Sequence, residues 1–384
     1  MKIGYDGKRA VQNNTGLGNY SRLMVTVLAE RYPENTYELY APRMADNPRL
    51  KPVLEHGNVS LRLPDTPRWA RHADLWRVWG LTRQLERDSI DLYHGLSGEL
   101  PLNIRSAAIP TVLTVHDLIF RHYPHCYKRI DRNIYDLKFR RSAQAATRVI
   151  AISECTRRDL TEIYGIDPEK IDVVYQGCAE QFRHRPSDEA IAAVRRKYGL
   201  RRPYVISVGT VEERKNQILS VRGLRGLPGE MEVVLVGRKT DYARTIEEYC
   251  DTYNCAHRVR FIENAPFTDL PALYAGAFCS SYTSRFEGFG IPVIESLSLG
   301  TPVIVTTGSC LEEAGGPDTP AVDPDDVEGW INVVKELVDY PEARRRIVES
   351  GQRYVRRFSD EAMAEGTMRT YMKAIEEFKS RKGR

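Results

Sequence analysis

The chain has 384 residues, 42% of them hydrophobic, 28% charged and 9% aromatic, which excludes intrinsic disorder and, at about 100–200 residues per domain, points to two domains with their own cores. Its 56 basic and 52 acidic residues leave a net charge of +4, too even a balance for a nucleic-acid protein. The start, MKIGYDGK, reads as a strand rather than a leader peptide, and no apolar run is long enough to span a bilayer, so a cytoplasmic protein is expected.

Short β-branched runs recur along the first half: KIGYDG, YELYAP, IDLYHG, TVLTVHD, RVIAIS and IDVVYQG. Each ends in glycine or a polar residue and leads into a helical pattern, as the strands of a parallel sheet covered on both faces should. A polar stretch, AEQFRHRPSDE (179–189), and a helix interrupt the series. The alternation restarts with YVISVGT, EVVLVG, RVRFIE, FCSSYT and PVIVTT. Two α/β domains follow, placed at 1–185 and 186–361, with ligands expected beyond the carboxyl ends of the strands. The last segment, DEAMAEGTMRTYMKAIEEFKSRK (360–382), is helical by propensity and by its spacing of Met363, Met368, Met372 and Ile375.

Seven cysteines (126, 155, 178, 250, 255, 279 and 310) form an odd set with no C-x-x-C pair, which argues against a disulfide framework and against structural zinc. Cys250, Cys255 and His257 are metal-like in type, but their spacing fits helix packing better.

The stretch RFEGFGIPVIESLSLG (285–300) passes from a polar turn into a helix. Gly288 and Gly290 permit unusual backbone, Pro292 suits the first helical turn, and Gly300 ends the helix. Backbone amides of Gly288, Phe289, Gly290 and Ile291 are thereby directed, at the positive end of a helix, toward a phosphate or a sugar hydroxyl. Glu287 stands in the loop and Glu295 one turn into the helix, and a carboxylate accepting two hydrogen bonds suits a vicinal diol.

The pattern E-G-F-G-x-P-x-x-E resembles the paired-glutamate motif of the retaining, nucleotide-sugar-dependent glycosyltransferases of family 4. YVISVGTVEERKNQ resembles the opening of that family's donor domain, TGLGNYS its amino-terminal glycine loop, TVHDL its histidine strand and VVYQGCAEQF its interdomain crossing. The form G-T-x-E-x-R-K-N resembles the mannosyltransferase-like branch of polysaccharide and O-antigen assembly. The resemblance implies an α/β chain of GT-B fold: two Rossmann-like parallel-sheet domains facing a central cleft, with residues 362–384 crossing back to the first. It also implies transfer of a hexose, with mannose the expected sugar and GDP-mannose the expected donor, onto a glycan or lipid-linked glycan. No cofactor is implied beyond the nucleotide sugar itself.

Roles carry over by position. Glu287 would position the sugar and Glu295 the ribose, while Arg214 and Lys215, just after a strand, would neutralise the leaving diphosphate, since no D-x-D metal motif stands where a metal-dependent alternative would need it. Gly209 and Thr210 open that loop, and Thr210 stands where many members have arginine, which shifts charge load onto Arg214. Gly16 and Gly18 would face the donor phosphates. His116 would contact the transferring sugar or the acceptor, so that the catalytic set is Glu287, His116, Arg214 and Lys215. Asp6, Arg9, His94 and Asp117, all at strand ends, are assigned to the acceptor side. Retention would proceed by front-face substitution rather than through a carboxylate nucleophile.

PRWARHADLWRVWGLTRQLER (67–87) mixes Trp69, Trp76 and Trp79 with five arginines. It reads either as a helix lying on a membrane, which would suit a lipid-linked acceptor and peripheral contact with the inner face of the cell membrane, or as tryptophans packed inward with arginines in water. Two other functions fit the architecture: an epimerase acting on the nucleotide sugar without an acceptor, and a catalytically silent sugar-nucleotide-binding subunit.

Overall fold

The computed structural model describes residues 1–382. The chain forms two compact units, Met1–Gln176 together with the segment from Asp360 onward, and Gly177–Ser359. The division falls before the position expected from sequence, because the polar stretch packs on the second unit. Phe182 is fully buried against Phe267 and Tyr274, and Gln181 donates to the Phe267 carbonyl.

In the first unit the strands are β1 (Lys2–Asp6), β2 (Thr36–Tyr40), β3 (Val59–Arg62), β4 (Leu92–Gly95), β5 (Thr111–Val115), β6 (Arg148–Ala151) and β7 (Ile171–Val173). They form one parallel sheet in the order β3-β2-β1-β4-β5-β6-β7, with Ile3 opposite both Tyr37 and Leu92. Strands β4, β5 and β6 are buried at every position, as a sheet with helices on both faces requires. The sequence reading missed β3. It is an edge strand with alternating exposure, so its apolar run is broken by outward-facing polar residues.

The second unit holds β8 (Tyr204–Val208), β9 (Glu232–Val236), β10 (Val259–Ile262), β11 (Cys279–Tyr282), β12 (Val303–Thr306) and β13 (Ala321–Val322). Their order is β10-β9-β8-β11-β12-β13, again all parallel. The two-residue β13 is too short to leave a pattern in sequence. Trp330, fully buried, lies over Gly223, where a Cβ would come within 2.2 Å of its ring, and its indole donates to Ser281 Oγ at 2.9 Å.

Helix Asp360–Lys382 belongs to the first unit. It buries Met363, Ala364, Tyr371 and Ala374 in the same apolar cluster as Met24, Val25 and Leu28. Its polar flank pairs Lys373 with Asp172 at 2.7 Å and Glu377 with Arg148.

Candidate active site

In each sheet the strand order reverses once, between β1 and β4 in the first unit and between β8 and β11 in the second. Chains leaving two such neighbouring strands turn to opposite faces, which opens a crevice at their carboxyl ends. Of the sequence-predicted residues, Asp6 and His94 lie on β1 and β4, Arg214 and Lys215 follow β8 and Glu287 follows β11, whereas His116 and Asp117 follow β5 and Gly16 and Gly18 lie on a helix.

In the second unit, β8 leads through Gly209 into a short turn, Glu213–Lys215, closed by Asn216 in the left-handed conformation (φ 53°). Asparagine tolerates that backbone, and its side chain fastens the turn by donating to the Pro324 carbonyl at 2.7 Å. The chain leaving β11 runs alongside: the Arg285 amide donates to the Arg214 carbonyl at 2.8 Å, and Thr283 Oγ1 to that of Asn216 at 3.0 Å. Arg214, Lys215 and Glu287 are thereby brought together. Glu287 Oε1 lies 2.5 Å from Lys215 Nζ, 2.9 Å from Arg214 Nη1 and 3.3 Å from the Tyr282 hydroxyl. Lys215 also donates to the Tyr282 hydroxyl at 2.6 Å, and Arg214 to Glu212 at 2.7 Å.

Burial alone would raise the Glu287 carboxyl, but Lys215 and Arg214 override it and hold the group below the usual carboxylate range. Burial likewise opposes the Lys215 charge, and Glu287 more than restores it. All three groups are therefore charged at neutral pH, as an ion cluster in a low-dielectric pocket.

Gly290 caps helix Ile291–Ser298 with φ 127°, and a Cβ there would lie 3.0 Å from Leu311 Cδ2. The Phe289 side chain turns inward, edge-on to Phe358, so only its backbone is available to the loop. Cys310 Sγ reaches the carbonyls of both Glu287 and Phe289. Glu295 is buried on the following turn, accepting from the Tyr274 hydroxyl at 3.3 Å, and burial pushes its carboxyl up to about 7. The backbone of the β8 loop packs equally tightly on that of β9: a Cβ on Gly237 would stand 2.1 Å from the Gly209 carbonyl oxygen. The Thr210 carbonyl accepts from Gln217 at 2.9 Å.

The first unit treats its predicted residues unequally. His116 ends β5 half-buried, with Nε2 donating to the Leu96 carbonyl at 2.9 Å and its ring edge-on to Tyr20 at 4.5 Å. Burial, aided by Arg9, lowers its pKa to about 4, so the ring is neutral and presents Nδ1 as an acceptor. Asp117 Oδ1 accepts from the Ile119 amide at 3.1 Å. Arg9 lies in the short helix Lys8–Gln12. Gly16 begins helix Gly16–Arg31 in open space, whereas Gly18 is forced by packing, since a Cβ would meet the Asn13 carbonyl oxygen at 1.9 Å.

Two acceptor-side expectations give way. His94 is wholly buried, Nδ1 bonded to the Tyr371 hydroxyl at 2.7 Å and Nε2 to Thr114 Oγ1 at 2.8 Å, so no ring nitrogen remains for a ligand. Asp6 is 1% exposed and gripped through both oxygens by Arg77, which also pairs with Glu99 at 2.7 Å. Both residues sit at strand ends, but they point into the protein. Among the described residues no group of three or more His, Cys, Asp or Glu is arranged to hold a metal ion.

Two family models match in succession: "Glycosyltransferase Family 4" over residues 16–181 and "Glycosyl transferases group 1" over 191–354. The chain belongs to the family 4 glycosyltransferases. Among the relatives of this glycosyltransferase, the O-antigen chain mannosyltransferase RfbU of Salmonella typhimurium is 26% identical over 63% of the chain and 65% of its own length. The O-antigen chain mannosyltransferase B of Escherichia coli is 24% identical over 77% of the chain and 76% of its own. The D-inositol 3-phosphate glycosyltransferase of Nocardia farcinica is 29% identical over 61% of the chain and 54% of its own. The match thus spans just under two thirds of the first relative and about half of the third. Of solved structures, Anabaena HepE in complex with UDP superposes with a TM-score of 0.76 at 19% identity, covering 97% of the chain and all of that protein. The fold is GT-B.

Sequence reasoning about the glycosyltransferase missed Tyr282, Tyr274 and Arg77. Tyr282 closes β11 at the carboxyl edge, a position that marked other candidates and would have marked it. Tyr274 and Arg77 carry no such signal, since only the tertiary fold brings them to Glu295 and Asp6.

The Trp/Arg segment divides between its two readings. It is a broken helix in which Trp76 is buried and donates to Gln84, Trp69 is half-buried against Gly80, and Trp79 is 51% exposed. Among the described residues no helix is long and apolar enough to cross a membrane.

Proposed function

We propose that this glycosyltransferase moves mannose from GDP-mannose, with retention of anomeric configuration and without a metal ion, to a glycan or lipid-linked glycan. The observation that carries the reading is the Arg214–Lys215–Glu287 cluster, set beside the Gly288–Gly290 loop at the reversal point of the donor-side sheet. Two fixed cations there supply the charge that a departing diphosphate requires, at no cost in reorganisation because their partners already hold them. Glu287 orients the sugar through its hydroxyls, and Glu295 accepts from the ribose diol. In the transfer step the bond from the anomeric carbon to the phosphate oxygen breaks with its electron pair on the phosphate. The acceptor hydroxyl bonds to the same face, and its proton passes to the leaving phosphate. The neutral His116 supplies an accepting nitrogen that orients a hydroxyl.

The mannose assignment is supported by the two O-antigen chain mannosyltransferases among the relatives. A lipid-linked acceptor would suit a protein in peripheral contact with the membrane. A thermal-shift panel of GDP, UDP and ADP sugars tests the donor, because a ligand that binds only the folded state raises the melting temperature according to its affinity. GDP-mannose should give the largest shift, and stabilisation by UDP sugars alone would overturn the assignment. Transfer should persist in EDTA. A Glu287→Ala, Lys215→Ala double variant that transfers sugar as fast as the parent would remove the cluster from the mechanism, and donor consumption without acceptor would favour an epimerase.

A further inference from the structure

Helix Arg129–Ala145 is anchored on one side only. Ser142 and Ala143 are buried, Phe139 packs edge-on to Phe120, and Ser142 Oγ accepts from the Leu100 amide at 2.9 Å. On the opposite side Ile130, Ile134 and Leu137 are 74%, 46% and 54% exposed. Their spacing of four and three residues sets them in one stripe along the helix. Three large aliphatics aligned in water cost free energy that a merely solvated face has no reason to bear.

The charge around the stripe is one-sided. The helix carries five basic residues, Arg129, Arg132, Lys138, Arg140 and Arg141, against Asp131 and Asp136. Asp136 is already engaged by the Tyr164 hydroxyl and Arg121. At a hundred degrees per residue, Arg129 and Arg140 flank the stripe on one side, Lys138 and Asp131 on the other, and Arg141 extends it. The turn at 98–103 joins this helix to the Trp/Arg segment: Lys138 and Arg77 share Glu99, and the Leu102 amide donates to the Val78 carbonyl at 3.0 Å. That turn and segment add Leu102, Leu75 and Trp79, each at least 40% exposed.

We propose that the Ile130–Ile134–Leu137 face, ringed by these arginines, is the surface with which the protein docks on an anionic lipid bilayer. The aliphatics enter the acyl boundary while Arg129, Arg140 and Arg141 meet the headgroup phosphates, the arrangement that holds a helix in an interface. The proposal deepens the peripheral contact suggested above and moves its centre away from the tryptophans, of which Trp76 serves the core.

Flotation with phosphatidylcholine vesicles, with and without phosphatidylglycerol, tests it on the full chain. The parent should float with the anionic vesicles only, less so in high salt. Replacing Ile130, Ile134 and Leu137 together by Asn should lower the partition coefficient by about tenfold or more. Leu75→Asn with Trp79→Asn should lower it less. An Arg129→Gln, Arg141→Gln variant, which leaves the apolar stripe intact, should lose the preference for anionic lipid. Sugar transfer to a soluble acceptor should be unchanged in every variant, which separates this outcome from any failure of the glycosyltransferase reading. The proposal is overturned if the parent floats with neither vesicle, if the triple variant floats like the parent, or if the stripe proves to hold two copies of the chain together in sedimentation instead.

Discussion

Replacing Glu295 by Gln keeps the size of a buried side chain and removes its titration. The wild-type carboxyl is pushed by burial from an ordinary 4.5 up to about 7. Between those values the folded protein holds a proton that the unfolded chain has released. Stability therefore falls as pH rises through that window and is flat above it. At 1.36 kcal/mol per unit the loss comes to about 3 kcal/mol. Glu295→Gln should lack this dependence, so near pH 5 the two proteins differ little on this account and near pH 8 the variant is more stable by that amount. For a unit of this size the difference is worth roughly 6–12 °C in melting temperature. Trp330 is the sole tryptophan of residues 177–359, so urea unfolding followed by its fluorescence, with Trp69, Trp76 and Trp79 replaced by Phe, reads the second unit alone. A stability difference between parent and variant that stays constant from about pH 5 to about pH 8 would refute the reasoning.

The first unit should respond to acid in the opposite sense: burial holds His94 near 3 and His116 near 4 against an ordinary 6.5. Their contribution is complete above 6.5 and is lost as pH falls below it, so two calorimetric transitions should move apart or cross between about pH 7 and about pH 5. Glu287→Ala strands Lys215 and Arg214 in a buried pocket and should cost roughly 3–5 kcal/mol. Adding Lys215→Met should recover part of that in chemical denaturation without restoring transfer. His94→Ala, which takes one buried hydrogen bond from each of the Tyr371 and Thr114 hydroxyls, leaving them only Tyr5 and Tyr20, and opens a cavity in the core, should destabilise the first unit by about 2–4 kcal/mol while leaving donor affinity, read by calorimetric titration, unchanged. Gly237→Ala forces a Cβ onto the Gly209 carbonyl at a φ of 149°. It should lower the second unit's melting temperature by several degrees, equivalent to about 2 kcal/mol, and weaken nucleotide binding with it.

Every central strand was legible in the amino-acid order, because a strand covered on both faces must be an almost unbroken apolar run. The glycine loop before Pro292, the terminal helix and the family motifs were equally plain, since they depend on local backbone freedom and on spacing along the chain. β3 and β13 escaped, one for its exposed face and the other for its length.

The sequence by itself determined which residues stand at the carboxyl ends of parallel strands, and therefore which are candidates for chemistry. Only the tertiary structure decided which way each of them points. His94 and His116 end neighbouring strands, yet one is locked between Tyr371 and Thr114 in the core and the other keeps a ring nitrogen available. Arg214, Lys215 and Glu287, up to 73 residues apart in the chain, became one charged cluster because β8 and β11 are neighbours in the sheet. Direction and company of this kind depend on contacts between distant segments, and a pattern read along one dimension carries no term for them.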